Sequence, residues 1–268
     1  MPKSSNPLAE MSADMFPDHE VQGRPDDSFR ETALPGFKQA LVARRSIRAF
    51  DGEGIPEDLF RDCLRDATLA PSSSNLQTYQ LYWIRDAEKK RAIAEACLGQ
   101  EAALSAGELV VAVARGDLWD IHRRALIKLM TRNGEKPLPA PAAEYYERIV
   151  PMVMKTDPLG LHNVVRRIVY RVKGRKGPSM RTPIKRADHR IYAQVQATFA
   201  AQTLLLSLAA HGYDSCPIGG MDMRRIGEIL MLPRGAEVSL VIAAGRGKPD
   251  GLYGQRVRLP EDALIRDV

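Results

Sequence analysis

The sequence contains few of the residues and motifs that identify metal, disulfide or nucleophilic sites. Its 268 residues include three cysteines, at positions 63, 97 and 216, and five histidines that are spread along the chain. An odd number of distant cysteines without CxxC spacing argues against both a disulfide framework and a zinc site. We therefore expect no metal site, and we expect Cys63 and Cys97 to be small core residues.

The common nucleotide and nucleophile motifs are absent as well. There is no P-loop and no nucleophile elbow, and the segment from Gly245 to Gly247 lacks the third glycine of a GxGxxG motif. No stretch approaches the ~20 apolar residues of a membrane helix, and the N-terminus lacks the apolar run of a secretory signal. Since 44% of the residues are hydrophobic, the chain can bury a core, and we expect a cytoplasmic protein.

The positive charge is concentrated in one segment. Residues 161–190 contain ten Lys or Arg and one acid, Asp188, which gives a local charge of +9. Because the whole chain carries +6, the remainder carries −3. Charge runs of this kind are usually solvated faces. A binding module for nucleic acid or for an anionic membrane is the functional alternative for this segment.

The chain is organised as a polar arm followed by one domain. Residues 1–30 are polar and aperiodic, which predicts a flexible N-terminal arm, and we interpret residues 31–268 as a single domain. Residues 117–188 carry seven prolines and no strand-like alternation, so they are predicted to be a variable helical insertion. Three strands are predicted from apolar patterns: residues 79–84, 108–115 and 237–244.

A strongly apolar helix leads to a glycine-containing turn. Residues 190–210 are predicted to form a helix whose second half is apolar on nearly every face, so this helix must be enclosed on all sides. The pair His211-Gly212 ends it, and a proline-fixed turn, Ser215–Asp222, follows. The pair Gly219-Gly220 lets backbone N–H groups approach a flat or anionic ligand. An ordinary helix-to-loop turn would have the same pattern.

Two groups of arginines could bind an anion. In an extended chain, Arg44, Ser46 and Arg48 alternate onto one side, and Arg256 and Arg258 do the same near the C-terminus. Guanidinium groups arranged in this way suit a phosphate. A solvated basic turn is the alternative for the segment from Arg44 to Arg48.

Taken together, five separated segments resemble the nitroreductase-like FMN-dependent oxidoreductases. They follow one another in that family's order and cover roughly residues 35–115 and 188–260. The segments are Arg44-Arg-Ser-Ile-Arg48-Ala-Phe-Asp, Ala70-Pro-Ser-Ser-Ser-Asn75-Leu-Gln77, Gln100 seven residues before Gly107, Cys216-Pro-Ile-Gly-Gly220, and Arg256-Val-Arg258-Leu-Pro.

The resemblance implies an α+β fold in which helices flank a mixed, mostly antiparallel sheet. It also implies an intertwined homodimer with FMN in two interfacial sites, NADH or NADPH as the electron donor, and a small electron-poor acceptor such as a nitroaromatic or a quinone. The reaction would be ping-pong, with the donor leaving before the acceptor binds. Because the flavin does the redox work, no catalytic acid, base or nucleophile is required. Neither a membrane nor a nucleic acid is implied as a partner.

The resemblance also assigns roles to individual residues, beginning with the phosphate of FMN. This phosphate would lie among Arg44, Ser46, Arg256 and Arg258, with Arg45 near the ribityl chain. These residues would therefore hold the tail of the cofactor.

A second set would surround the flavin ring. Arg48 and Gln100 would face its pyrimidine edge, where a cation stabilises the negative charge of the reduced ring. Backbone groups would lie along the ring, with the N–H of Gly219 bonded to the hydride-accepting nitrogen: Pro217, Ile218, Gly219 and Gly220. The second subunit would contribute one loop: Pro71, Ser72, Ser73 and Asn75.

The sequence departs from the family pattern in three places. Thr78 and Tyr79 follow Gln77 where the family often has Pro-Trp, and Gly107 replaces a common strand-entry proline. The insertion 117–188, where the family's substrate selectivity lies, is not matched by any of the five segments, so the acceptor stays open. A specialised flavoenzyme for an anionic metabolite, bound by the basic segment 161–190, is therefore an alternative to a general reductase. We interpret Cys216 as a packing residue.

Overall fold

The computed structural model describes residues 27–155, 161–178 and 182–268, and their strands form one antiparallel sheet. The strand order is β1-β2-β4-β3, and an isolated parallel bridge joins Ser46 to Ser215. The three predicted strands are confirmed to within one residue at either end. The strands are β1 (Tyr79–Trp83), β2 (Glu108–Arg115), β3 (Asp214–Ile218) and β4 (Ala236–Gly245).

Helices flank this sheet. Between β2 and β3, the described residues form helices and loops without a strand, including a π-helical turn at Glu144–Ile149. The helices are α1 (Asp27–Ala43), α2 (Glu57–Thr68), α3 (Ala87–Ala96), α4 (Glu101–Leu104), α5 (Trp119–Met130), α6 (Ala140–Ala143), α7 (Val150–Met154), α8 (Leu161–Lys176), α9 (Arg186–Ala210), α10 (Met223–Ile229) and α11 (Glu261–Leu264).

Strand β2 is buried on both faces, which explains its continuous apolar run. Leu109 and Val111 face a cluster that contains residues of α3 and α10, whereas Val110 and Ala112 face a cluster that contains residues of α2 and α9. Helices therefore cover both sides of the sheet, and the expected α+β fold is confirmed. Among the described residues, no helix is long and apolar enough to cross a membrane.

The predicted turn Ser215–Asp222 is partly wrong, because its first half is the edge strand β3. Pro217 is exposed there, and an edge strand tolerates proline since the missing N–H would have faced solvent. The turn itself begins only at Gly219. Asp222 then caps α10 by accepting a hydrogen bond from the N–H of Arg225, 3.0 Å away.

Helix α9 is also more open than its sequence predicts. Its buried side, which includes Ala197 and Leu204, has no exposed surface. On the other side, Ile191, Val195 and Phe199 are 64%, 47% and 48% exposed. Enclosure on all sides is therefore wrong for the single chain, and an apolar stripe of α9 is left uncovered.

Helix α1 begins within the predicted N-terminal arm. It includes Asp27–Arg30 and continues through Pro35 to Ala43, so the predicted end of the arm at residue 30 is wrong. The rest of the predicted arm, residues 1–26, lies outside the described residues. Cys63 and Cys97 have no exposed surface, which confirms that both are core residues.

Gly107 occupies a position that no larger residue fits. A Cβ added there would collide with the carbonyl oxygen of Glu53 and would lie 2.8 Å from its carbonyl carbon. We expect Gly107→Ala to lower the free energy of unfolding by about 2–4 kcal/mol, because backbone must shift to admit the methyl group. Urea denaturation of the purified protein measures this change.

Gly36 provides the matched control for this substitution. It lies on α1 with nothing within 4 Å of an added Cβ. Gly36→Ala should raise the free energy of unfolding by roughly 0.5–1 kcal/mol, since alanine loses less backbone entropy in a helix. Equal stability of the two variants would contradict the steric account of Gly107.

Candidate functional site

The C-terminal segment is tied to the end of α1 by Arg256. Its guanidinium donates hydrogen bonds to the carbonyl oxygens of Val42 and Arg44, at 2.8 and 2.7 Å, and a longer one of 3.3 Å to that of Leu41. A cation is favourable here because the last carbonyls of a helix have no partners within it. This contact brings the tail arginines to the arginines that follow α1, as expected.

Four arginines, Arg44, Arg45, Arg256 and Arg258, thereby form an arginine group that has no compensating acid among the described residues. Arg45 donates to the carbonyl oxygen of Gly254, 2.7 Å away. Partial burial lowers the pKa of Arg44, and repulsion by Arg256, Arg258 and Arg45 lowers it further. No acidic side chain in the described part of the chain pairs with any of the four. The group is therefore electrostatically strained in the absence of an anion.

Strand β3 passes beside this group. The N–H of Ile47 donates to the carbonyl oxygen of Ser215 over 3.1 Å, so Ser46 and its neighbours lie against the strand. Burial raises the pKa of the Cys216 thiol, while Arg48 and Arg44 act in the opposite direction. Because Cys216 is 2% exposed and its pKa is raised, it is a buried thiol that packs, and it is poorly suited to be a nucleophile.

Gln100 connects the core to the glycine turn. Its side-chain Nε2 donates to the carbonyl oxygens of Gly220, at 2.6 Å, and Cys97, at 2.9 Å. A Cβ on Gly220 would lie 3.4 Å from this nitrogen, whereas nothing lies within 4 Å of one on Gly219. Gln100 therefore fixes the turn on one side, and the backbone at Gly219 is left accessible.

Tyr253 is a neighbour of the site that sequence reasoning missed. The Arg48 guanidinium lies 5.8 Å from the centre of the Tyr253 ring, and the N–H of Arg48 donates to the carbonyl oxygen of Gly251 over 2.8 Å. Tyr253 directly precedes the tail segment with Arg256 and Arg258. Only the folding of the tail onto the end of α1 and the segment from Arg44 to Arg48 reveals this proximity.

The serine loop, residues 70–77, lies apart from the arginine group in the single chain. The Ser72 hydroxyl accepts a hydrogen bond from the N–H of Gln77 over 3.0 Å. Thr78, one of the departures from the family pattern, is fully buried and donates from its hydroxyl and its N–H to Oε1 of Gln196, at 2.9 and 3.3 Å. The loop is thus attached to α9, and no hydrogen bond or ion pair among the described residues joins it to the arginine group.

A cavity of about 640 Å³ opens between this loop and α9. Gln196 is 2% exposed, and its Nε2 has no hydrogen-bond partner among the described residues. Because Thr78 fixes the amide orientation, this donor is left free. The cavity is lined by Pro71, Ser72, Ser73, Gln196 and the exposed α9 residues Ile191, Val195 and Phe199.

A second cluster looks like a nucleophile–base pair but does not qualify. His211 Nδ1 lies 3.5 Å from the Cys63 sulfur and 2.9 Å from the carbonyl oxygen of Ser207. A ring nitrogen that faces a carbonyl oxygen must donate to it, so it cannot accept the thiol proton. Burial also raises the pKa of Cys63. The described residues contain no group of His, Cys, Asp and Glu arranged to hold a metal.

Comparisons with known proteins agree with this geometry. The sequence profile of the nitroreductase family matches residues 41–246. A curated relative, the NADH dehydrogenase of Thermus thermophilus, is 31% identical over 88% of this chain and all of its own length.

Solved structures show the same fold. The NfrA1 nitroreductase of Bacillus subtilis is 18% identical and superposes with a TM-score of 0.57, over 86% of this chain and 73% of its own. A structure from Exiguobacterium sibiricum, described as a nitroreductase in complex with FMN, is 21% identical. It superposes with a TM-score of 0.59 over 87% of this chain and 97% of its own. The protein belongs to the nitroreductase family.

Proposed function

We propose that this protein is an FMN-dependent oxidoreductase that takes electrons from NADH or NADPH and reduces a small electron-poor acceptor, such as a nitroaromatic or a quinone, by a ping-pong mechanism. The observation that carries this proposal is the convergence of distant segments. Four features meet beside β3: the arginines that follow α1, Gln100, the glycine turn and the C-terminal arginines. These features are up to 214 residues apart in sequence. The names of the relatives support the same chemistry.

The arginine group fits the phosphate of FMN. Arg44, Arg45, Arg256 and Arg258 have no acidic partner among the described residues, and burial together with repulsion by the other three lowers the pKa of Arg44. A phosphate dianion would replace this repulsion with charge-assisted hydrogen bonds. Ser46 would add a hydroxyl donor at the same place, beside Ser215.

The glycine turn and Gln100 fit the ring. Gly219 presents backbone without a side chain, and Gly220 is held by Gln100. Arg48 would bring a positive charge to the pyrimidine edge, at a position restrained by its contact with Tyr253. FMN, when bound, would supply the hydride chemistry in both half-reactions. The protein residues would orient the ring, stabilise its negative charge and leave one side accessible.

The site requires a second copy of the chain to be complete. Pro71, Ser72, Ser73 and Asn75 lie away from the arginine group, in the loop beside the exposed stripe of α9. Pairing two chains through this stripe would bury Ile191, Val195 and Phe199 and would place the serine loop at the seam. We therefore assign a homodimer, with the free Nε2 of Gln196 as a further donor on the partner's side of the site.

Residues 31–268 form a single cofactor-binding domain in this proposal. The helical insertion 117–188 would then help to select the acceptor, because it contacts the serine loop. The hydroxyl of Tyr145 in the insertion lies 2.8 Å from that of Ser74 in the loop. This contact supports a role for the insertion at the side of the proposed site that the serine loop would form.

The visible spectrum of the purified protein tests the proposal. We expect bound-flavin absorbance that is lost when NADH or NADPH is added without oxygen and that returns when a quinone is added after the nicotinamide has been removed. Return of the absorbance in the absence of the donor would support the two separate half-reactions of a ping-pong mechanism. Protein that lacks flavin and takes up no added FMN would overturn the proposal.

A further inference from the structure

Helix α8 is attached to the protein by its polar side. Asn163, Arg166, Tyr170 and Gly174 are partly buried, and their spacing puts them on one face of the helix. The Arg166 guanidinium donates to the carbonyl oxygens of Val153, Lys155 and Pro183, at 3.0, 3.2 and 3.1 Å. Arg166 thereby holds together the chain segments that precede and follow α8.

The opposite side of α8 exposes an aliphatic stripe. Val165 and Ile168 are 60% and 58% exposed, and three further valines on this side are exposed as well: Val164, Val169 and Val172. A helix at the surface of a globular protein normally turns such a stripe toward the core. Here the arrangement is reversed, so the stripe is available to an apolar environment outside the chain.

Cations without an acidic partner among the described residues surround this stripe. Arg167 and Arg171 lie on one border and Lys173 on the other, while Arg175 and Lys176 lie at the C-terminal end of the stripe itself. All five are exposed, and none has an acidic partner in the described part of the chain. Residues 161–178 contain no Asp or Glu. The helix therefore combines an apolar stripe with positive charge alone.

A small cavity lies along the arginine border. Its volume is about 300 Å³, and it is lined by Arg167, Tyr170, Arg171, Gly174, Arg175 and Ile184. Three guanidinium groups around one cavity can bind a phosphate or a similar oxyanion.

We infer that α8 lies on the surface of an anionic phospholipid membrane. The aliphatic stripe would enter the boundary between headgroups and acyl chains, and the five cations would remain at the level of the lipid phosphates. Their long aliphatic stems suit this position because they can bury methylenes while the charged ends stay solvated. The cavity beside the arginines would hold a lipid headgroup. This inference does not depend on the proposed redox function.

Other occupants fit these features less well. Nucleic acid binds through phosphate contacts and aromatic stacking, but the stripe of α8 is aliphatic. The aromatic residue of α8, Tyr170, has the Arg166 guanidinium over its ring, 5.9 Å from the ring centre. A two-fold contact between two α8 helices would bring together cations that have no compensating acid. Only an anionic, apolar-cored surface matches both the charge and the stripe.

Sedimentation with lipid vesicles tests the inference on the full-length, FMN-loaded protein. We expect the protein to bind vesicles of phosphatidylglycerol and phosphatidylcholine and not vesicles of phosphatidylcholine alone, with weaker binding at high salt. Arg171→Glu/Arg175→Glu should reduce the partition coefficient by at least about thirtyfold, since each cation near an anionic surface contributes about fivefold. Val165→Asp/Ile168→Asp should reduce it by roughly tenfold or more.

A matched charge reversal on another helix provides the control. Lys89→Glu/Arg91→Glu changes the net charge equally at exposed positions of α3 and should leave vesicle binding nearly unchanged. FMN content and circular dichroism establish that each variant is folded. The inference is overturned if the control variant loses binding equally, if Val165→Asp/Ile168→Asp binds as the wild type does, or if that variant separates a dimer into monomers.

Discussion

Arg44→Ala is expected to raise the dissociation constant for FMN by roughly 10- to 100-fold while leaving that for riboflavin nearly unchanged. The basis is that a hydrogen bond to a charged group contributes about 1.5–3 kcal/mol, and riboflavin lacks the phosphate that would receive it. Arg44 is the member of the arginine group whose pKa is lowered by partial burial and, in addition, by the other three arginines. Quenching of flavin fluorescence during titration of the flavin-free protein measures both constants.

The stability of the same variant should change in opposite directions with and without FMN. Removing Arg44 relieves repulsion with Arg256, Arg258 and Arg45, so the flavin-free protein should unfold at an equal or higher urea concentration. With FMN present, the variant should be less stable than the wild type, because binding to the folded state stabilises it in proportion to affinity. A purely structural role for Arg44 would instead lower stability under both conditions.

Arg224→Ala is the control for this experiment. The Arg224 side chain is 90% exposed and forms an ion pair with Glu228 within α10, outside the arginine group. It should alter neither dissociation constant. If Arg44→Ala weakens FMN and riboflavin equally, or weakens neither, the assignment of the phosphate to this arginine group is wrong.

The sheet was predictable from the sequence because its buried strands carry unbroken apolar patterns. β2 is such a strand, and its neighbours β1 and β4 have recognisable runs. β3 was missed because a strand that contains Ser215, Cys216 and Pro217 has no such pattern, and only its pairing with β4 makes it a strand. Local pattern is therefore informative for central strands and weak for an edge strand with proline.

The arginine residues of the candidate site could also be named from the sequence, since the segments that contain them follow the order of the family's segments. The structure adds how these segments are held. Arg256 is bonded to the end of α1, and Arg48 lies by Tyr253. Contacts between residues more than 200 positions apart leave no trace in local periodicity, so the sequence alone could name these arginines but not the bonds that position them.

The openness of α9 shows a different limit. A helix that is apolar on nearly every face is expected to be covered. The sequence does not say whether its own chain or another one would cover it. In the structure, α2 and the sheet cover one side, while Val195 and Phe199 stay exposed, and this exposed surface is where we propose that a second copy packs.

Phe199→Asp is expected to convert the proposed dimer into a monomer and, as a consequence, to abolish retention of FMN. Phe199 is 48% exposed in the single chain, on the α9 stripe beside the serine loop. In a two-fold interface each substitution occurs twice, and a buried, unpaired carboxylate is costly. The dimer dissociation constant should therefore rise by at least about a thousandfold, which sedimentation velocity at several protein concentrations measures.

Met231→Asp distinguishes this effect from the mere loss of an exposed apolar side chain. Met231 is 80% exposed on the turn after α10, outside the α9 stripe, and its positive φ of 50° suits aspartate better than most residues. Met231→Asp should leave both the dimer dissociation constant and the FMN content of the protein unchanged. Loss of FMN together with the dimer in Phe199→Asp would support a site shared between two chains, since Phe199 lines the cavity beside the serine loop, which no residue of the arginine group lines. A monomeric Phe199→Asp that still binds FMN as the wild type does would instead show that one chain is sufficient and that the serine loop does not take part.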